Sequence, residues 1–122
     1  MTIIPNFILK RMYRAGSLKR ANNGVSFEII NNLGPGQLSG LNGITLNGTI
    51  YVAEQVTFVF DGTELPAKEI TEATPASFFL NQIVTVLIDA PDLPAGDYTS
   101  KLDLISREAG KVTLTIQDKL TA

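Results

Sequence analysis

The sequence has no histidine, no cysteine and no tryptophan among its 122 residues. Histidine is the commonest general base near neutral pH and the commonest metal ligand, so its absence excludes a histidine-containing catalytic triad and a histidine-based zinc or iron site within this chain. Without cysteine there is neither a disulfide framework nor a thiolate metal site. The fold must therefore be stabilised by packing, and we assign no catalytic and no metal-binding residue.

Long apolar runs are also missing. No stretch approaches the roughly 18 apolar residues that a membrane span needs, and the first residues lack the apolar segment and the cleavage site of a signal peptide. A hydrophobic content of 44% with 18% charged residues is typical of one globular domain. We therefore expect a cytoplasmic protein that does not bind membranes.

The positive charge is concentrated at the N-terminus. Residues 1–27 contain five basic residues and no acidic one, a net charge of +5, whereas residues 28–122 contain five basic and twelve acidic residues, a net charge of −7. Apolar side chains lie among these basic residues, which a plain solvated tail would not need. We therefore interpret residues 1–16 as a docking arm for a protein partner, and the predicted interface residues are Phe7, Leu9, Lys10, Arg11, Tyr13 and Arg14.

The sequence of the arm allows three other interpretations. It could be a solvated terminus, or the chain's own sheet edge could bury its apolar side chains. Nucleic acid is disfavoured, because the net charge of the chain is −2. The spacing of apolar residues over 5–13 fits a short helix that begins at Pro5, but an extended arm fits as well.

Residues 17–122 alternate between apolar and polar side chains and are punctuated by turn residues, which is typical of antiparallel strands. We predict hairpins of 17–21 with 25–31, of 44–46 with 50–52, and of 56–60 with 63–65, the last two through Asn47-Gly48 and Asp61-Gly62 in type I′ turns. One long central strand is predicted over 77–89, and further strands over 98–107 and 112–116. The segment 66–76 is predicted as a loop with room for one helical turn.

About eight strands with little helix predict an all-β, single-domain antiparallel β-sandwich, of jelly-roll or immunoglobulin-like type. The spacing Leu-x-x-Gly-x-Tyr that ends in Gly96 and Tyr98 resembles the tyrosine corner of such sandwiches, in which the phenol hydroxyl bonds to a nearby backbone group. The alternative is that Tyr98 simply begins a strand after a loop.

The segment 33–43 contains four glycines in eleven residues, and we predict a loop there. It has no phosphate-binding motif. It either connects the two sheets or, as a long loop at one end of the sandwich, faces a ligand through Gly34, Pro35, Gly36 and Gln37. Acidic pairs such as Glu69 with Glu72 are interpreted as solvated turn charges, and a calcium site built from Asp89, Asp92 and Asp97 is the disfavoured alternative.

Several motifs together resemble a family of small all-β proteins. The N-terminal ones are Ile4-Pro5-x-Phe7-x-Leu9-Lys10-x-Met12-Tyr13-x-x-Gly16-Ser17-Leu18-Lys19 and Gly24-x-x-Phe27-Glu28-Ile29. The later ones are Asp61-Gly62-Thr63-Glu64, Leu93-Pro94-Ala95-Gly96-Asp97-Tyr98, Arg107-Glu108-Ala109-Gly110 and Ile116-Gln117-Asp118. The family includes the small (β) subunits of bacterial C-glycoside deglycosidases and shorter relatives, some of which have been labelled hydroxymethylglutaryl-CoA reductases.

This resemblance implies an accessory β-sandwich subunit that assembles with a larger TIM-barrel-type subunit. In such a complex 3-oxo-C-glycosides are cleaved by acid-base elimination, and the larger partner holds a divalent metal and most catalytic groups, so this chain needs no cofactor of its own. The reductase label is not supported by the sequence, which has no nicotinamide motif and no histidine. The alternative function is a self-assembling β-sandwich of identical copies without enzymatic activity, and a carbohydrate-binding module is weaker because little aromatic stacking surface is available.

Overall fold

A computed structural model describes residues 6–21 and 23–121. Pro5, where the predicted helix begins, and Asn22, in the first predicted turn, lie outside the described residues. Within them, a short helix and a 3₁₀ turn precede the strands: α1 Asn6–Leu9 and the 3₁₀ turn Lys10–Met12. The strands that follow are β1 Lys19–Ala21, β2 Gly24–Ile30, β3 Gly36–Leu46, β4 Thr49–Tyr51, β5 Val56–Phe60, β6 Thr63–Pro66, β7 Ala76–Phe78, β8 Ile83–Ile88, β9 Gly96–Ser106 and β10 Gly110–Leu120.

The strands form two antiparallel sheets. Sheet A has the order β1-β2-β8-β5-β6, and sheet B has the order β10-β9-β3-β4, with β7 also paired to β3. The all-β fold predicted from the sequence is confirmed. The structure has more strands than expected because two strands, β7 and β8, replace the single strand predicted over 77–89.

Alternation of side chains builds the core between the sheets. In β2, the buried residues Val25, Phe27 and Ile29 face inward, and Val84 and Val86 of β8 do the same. Each such side chain contributes about 1.5–3 kcal/mol when it is removed from water. Opposite them, the inner face of sheet B consists of buried residues of β3, β9 and β10.

Both predicted type I′ hairpins are present. Asn47 and Gly48 have φ angles of 48° and 89°, and Asp61 and Gly62 have 50° and 84°. Positive φ at both central residues matches the twist of the flanking strands, which is why Asn-Gly and Asp-Gly are favoured there. The predicted helical turn in 66–76 is the 3₁₀ turn Ala67–Glu69.

The prediction of one strand over 77–89 was wrong. The chain leaves sheet B after Phe78, turns, and enters sheet A at Ile83. The turn is held by the Gln82 N–H, which donates to Phe79 O at 3.0 Å, and by Asn81, which has a φ of 67°. The apolar run in the sequence continues through this turn, but Phe79 is exposed and belongs to no strand.

The prediction of a loop over 33–43 was also wrong. Most of it belongs to β3, an 11-residue strand in the interior of sheet B. The glycines are accommodated by two register shifts against β9, between Leu38 and Gly40 and between Leu41 and Gly43. A β-bulge absorbs the extra residue and bends the strand without ending it. The last strand is likewise longer than predicted and reaches Leu120.

Candidate functional site

The described part of the N-terminal arm, residues 6–16, and the two residues that follow it close one open side of the sandwich. Leu9, Met12, Tyr13 and Leu18 are all buried in the core between the sheets. Tyr13 forms an isolated bridge with Ile29 of β2, and the Arg14 N–H donates to Glu28 O at 3.0 Å. The arm therefore continues sheet A beside β2 while α1 and the following turn contact β10 of sheet B.

Asp118 of β10 fastens the arm. Its Oδ2 accepts hydrogen bonds from the Tyr13 hydroxyl, from the Gly16 N–H at 3.1 Å and from the Leu18 N–H at 3.3 Å. The Lys119 N–H donates to Oδ1 at 2.8 Å. Partial burial raises the pKa of Asp118, but these hydrogen bonds, that of Tyr13 first, outweigh it and the net pKa is lowered. Asp118 is therefore ionised at neutral pH.

Tyr13 contributes its ring as well as its hydroxyl to this anchor. The ring lies 5.6 Å from the Phe27 ring, centroid to centroid, in a tilted arrangement. Burial, and then the hydrogen bond to Asp118, raises the pKa of Tyr13 above its ordinary value, so the phenol stays protonated and donates. The anchor fixes the direction in which the rest of the arm points.

The structure separates the predicted interface residues into two groups. Leu9 and Tyr13 are buried in the chain's own core, at 3% and 8% exposure, where a partner cannot contact them. This corrects the prediction for Leu9 and Tyr13, because the two sheets already cover these side chains. Phe7 is 67% exposed, and Lys10 and Arg11 are exposed beside it on the same arm.

We call Phe7, Lys10 and Arg11 the arm stripe. Their spacing of three and four residues places them on one face of the short helix and the 3₁₀ turn, opposite the buried Leu9. Arg14 is exposed too, but its Nη1 lies 3.1 Å from Glu28 Oε1, which directs it toward the outer face of sheet A. The role of the arm stripe at an interface stays a prediction.

An apolar pocket of about 230 Å³ opens at the end of the sandwich next to the arm. Its apolar lining comes from the arm, from the loop between β2 and β3, from β3, from β7 and from the β9–β10 hairpin, and includes Met12, Leu33, Leu38, Phe78, Leu104, Ala109 and Val112. All four residues predicted to face a ligand, Gly34, Pro35, Gly36 and Gln37, line this pocket. That a ligand binds there stays a prediction.

The polar groups at the rim are engaged within the chain. Asn31 Nδ2 donates to Gly34 O at 2.6 Å and to Phe78 O at 2.9 Å, and Asn31 Oδ1 accepts from the N–H groups of Leu33 and Gly34. Four hydrogen bonds satisfy the side chain completely. Asn31 therefore shapes the loop and does not offer a free group to a ligand.

Glu108 holds the opposite rim. Its Oε1 accepts from the Gln37 N–H at 2.9 Å and from the Ser106 hydroxyl at 3.4 Å, and the bond from the Gln37 N–H is the main reason that the pKa of Glu108 is lowered. Arg107 Nη1 donates to Gln37 Oε1 at 3.0 Å. The turn of the β9–β10 hairpin is thus tied to the start of β3, and the pocket suits an apolar ring or side chain better than an ion.

The arm stripe and the pocket lie at the same end of the molecule. Met12 lines the pocket, and Asn32 Nδ2 donates to Arg11 O at 2.8 Å. Leu33, 43% exposed, belongs to the rim. A partner bound to the arm stripe would therefore also face the pocket.

Residues 8–121 match the family model described as hydroxymethylglutaryl-CoA reductase, N-terminal domain. The chain belongs to this family. The match includes residues 8–16 of the arm and both sheets, and it agrees with the reductase label that short relatives carry. No curated protein matches the chain. The link to C-glycoside deglycosidases stays a prediction.

The tyrosine corner lies at the start of β9, whereas the pocket lies at the other end of the same strand. The Tyr98 hydroxyl donates to Pro94 O at 2.6 Å, four residues upstream, which is the contact that the Leu-x-x-Gly-x-Tyr spacing predicts. Gly96 has a φ of 144°, a value that favours glycine. These residues fix a corner of the fold and are remote from the arm.

The sequence indicated no role for Asp118, which appears there only within the Ile116-Gln117-Asp118 motif, and none for Asn31. Asp118 lies 105 residues from Tyr13, so no spacing rule connects them. The Asn31-Asn32 pair at the end of a strand is a turn signal that indicates local backbone bonding. Across 6–21 and 23–121, no group of three or more acidic residues forms a metal site, so Asp89, Asp92 and Asp97 do not form one, and no helix there is long and apolar enough to cross a bilayer.

Proposed function

We propose that this chain is a non-catalytic accessory subunit that binds a larger catalytic partner through the arm stripe. The observation that carries the proposal is the exposure of Phe7, at 67%, beside two cations on an arm whose inner face is fastened to the core. An exposed aromatic ring on an ordered support is typical of an interface anchor. Since Asp118 already orders the arm, little conformational entropy is lost on binding.

The partner surface that fits the arm stripe is acidic, with an apolar recess. Lys10 and Arg11 would face carboxylates at the rim, and Phe7 would occupy the recess. Arginine and aromatic residues are enriched in such contacts. Opposite charges accelerate the encounter and fix its orientation, whereas burial of the ring supplies most of the affinity.

The specific form of the proposal is the small subunit of a C-glycoside deglycosidase, whose larger TIM-barrel-type partner would hold the divalent metal and carry out the elimination on a 3-oxo-C-glycoside. Its support is the motif resemblance along the chain. The position of the pocket beside the arm stripe adds to it, because a docked partner would lie over the pocket. The apolar lining suits an aromatic or aliphatic part of a substrate better than a sugar ring.

A second candidate is an accessory domain of a hydroxymethylglutaryl-CoA reductase. The match over residues 8–121 favours it, since the family description names one domain of a larger enzyme. Without a nicotinamide motif or a histidine, this chain would be non-catalytic there as well. The activity of the co-purified partner separates the two candidates: elimination from a 3-oxo-C-glycoside supports the first, and nicotinamide-dependent reduction supports the second.

The test is native purification followed by mass measurement of the intact complex. We expect a second, larger chain to be present, and we expect the double variant Lys10→Glu/Arg11→Glu to lose it at low salt. The matched control is Lys101→Glu/Lys111→Glu, which makes the same change of charge at exposed positions of sheet B. An assembly that contains this chain alone contradicts the proposal and favours the self-assembling β-sandwich, as does a complex that survives the arm reversal unchanged.

A further inference from the structure

The outer face of sheet A is apolar at its centre. The side chains that point away from the core on β2, β8 and β5 include the apolar residues Ile30, Ile83, Leu87 and Val59. None of these four is buried, and Ile83 is 39% exposed. Glu28 is the one charged residue among the outward side chains of these three strands. An outer sheet face of this kind marks a surface that another protein covers.

The turn between β7 and β8 extends this apolar surface at one end. Phe79 and Leu80 are 61% and 52% exposed. The turn is held on both sides, because the Asn81 N–H donates to Asn31 O at 2.6 Å and Gln82 Nε2 donates to Asp61 Oδ2 at 3.0 Å. The two apolar side chains are therefore presented by an anchored turn.

The two edges of this face carry opposite charges. Lys19 on β1 pairs with Ser26, and Glu64 on β6 pairs with Val59, so both point to the outer face, and both are exposed. Residues paired across neighbouring strands form a row across the sheet. The row that contains Glu28 begins with Arg14 at the basic edge and ends with Glu64 at the acidic edge. The basic and acidic edges are each two strands away from the central strand β8.

We propose that the outer face of sheet A binds a second copy of this chain, with a two-fold axis that runs above β8 and parallel to it. This axis places the basic edge of each copy over the acidic edge of the other, so the dimer contains two such contacts. Lys19 would then lie near Glu64 of the second copy. An in-plane axis perpendicular to the strands would instead place like charges over each other. Aligned packing of two sheets about 10 Å apart is a common geometry.

The size of the face sets the expected strength. The five strands of sheet A are three to seven residues long, with a mean of five. At a spacing of about 4.8 Å they cover a flat area of roughly 400 Å², to which the 79–82 turn adds. Stable dimers bury about 800 Å² per partner, so we expect a dissociation constant in the micromolar range. The proposal goes beyond the accessory function. The arm stripe lies on the arm and not on the outer face of sheet A, so it stays free in this dimer.

Sedimentation equilibrium of the full chain over a range of concentrations tests the proposal. We expect Lys19→Glu and Glu64→Lys each to weaken the dimer about tenfold, because every reversal acts twice in a symmetric pair. The double variant restores both contacts and should return to within about threefold of the original chain. Lys111→Glu, on sheet B, is the matched control and should leave the dimer unchanged.

Several results would overturn the proposal. The chain could be monomeric up to its highest soluble concentration, or the double variant could be as weak as the single ones. A dimer that is lost on reversal of Lys10 and Arg11, but not on reversal of Lys19 or Glu64, would place the contact on the arm. If no larger partner binds but the dimer forms, the docking function fails and this inference stands. If a larger partner binds but no dimer forms, this inference fails and the docking function stands.

Discussion

Replacement of Tyr13 by phenylalanine removes the hydroxyl that fastens the arm and leaves the ring on Phe27 in place. The lost bond runs from a phenol to the ionised Asp118, and hydrogen bonds to charged groups are worth about 1.5–3 kcal/mol. Because Asp118 is partly exposed and keeps two backbone N–H donors from the arm on the same oxygen, we expect a loss near the lower end. The free energy of unfolding should fall by about 1.5–2 kcal/mol, and the midpoint of thermal unfolding by roughly 5–8 °C.

The effect should depend on pH with a defined sign. The pKa of Asp118 is lowered in the folded chain, so its stabilising contribution is present above the unfolded pKa of about 4 and is lost as the pH falls through the folded pKa. The difference between the Tyr13→Phe variant and the original chain should therefore be largest at neutral pH and should shrink toward pH 3.

Urea unfolding followed by circular dichroism at several pH values measures both quantities. Tyr51→Phe is the matched control, since Tyr51 is also buried at 9% exposure but its hydroxyl has no hydrogen-bond partner among the described residues. We expect that control to change stability by less than about 0.5 kcal/mol. A Tyr13→Phe loss no larger than the control, or one that is constant between pH 7 and pH 3, would refute the anchoring role of Asp118.

Four further substitutions test the core, the tyrosine corner and the strands by urea unfolding. Ser100 is 2% exposed and its Oγ has no hydrogen-bond partner in the described part of the chain, so Ser100→Ala should stabilise the fold by about 0.5–1 kcal/mol, and a loss of stability would contradict this. Tyr98→Phe removes the corner hydrogen bond and should cost about 1–1.5 kcal/mol, whereas no loss would mean that the corner is dispensable. Gly24→Ala would place a Cβ 1.9 Å from Ile88 O and should lower the free energy of unfolding by at least about 3 kcal/mol. Gly40→Ala would bring a Cβ close only to a flexible side chain and should lower it by less than about 1 kcal/mol. Equal losses would refute the steric argument.

Local signals predicted most of the strands. The hairpins at Asn47-Gly48 and Asp61-Gly62 follow from backbone conformations that these residue pairs favour, whatever the rest of the chain does. The two errors arose where tertiary structure decides. The apolar run over 77–89 gives no sign that the chain changes sheets at Asn81, and the glycines of β3 gave a loop pattern although bulges keep them within a sheet.

The candidate site was predictable only in part. The composition of the arm indicated that some of its apolar side chains would be buried, but it could not show that the chain itself buries Leu9 and Tyr13 and leaves Phe7 exposed. Tyr13 is fastened there by the carboxylate of Asp118, which lies 105 residues away in the sequence. The glycine-rich segment beginning at Gly34 was assigned the wrong local structure, but its first residues do line the pocket.

The proposed function depends on the binding of a larger partner chain by the arm stripe. Native mass spectrometry of the intact complex, purified at low salt with the original chain and with Lys10→Glu/Arg11→Glu, tests it most directly. We expect a heteromeric mass with the original chain and its loss with the arm variant, while the Lys101→Glu/Lys111→Glu control keeps the partner. The absence of any heteromer, with only multiples of this chain's own mass, or a heteromer that tolerates the arm reversal, would contradict the docking proposal.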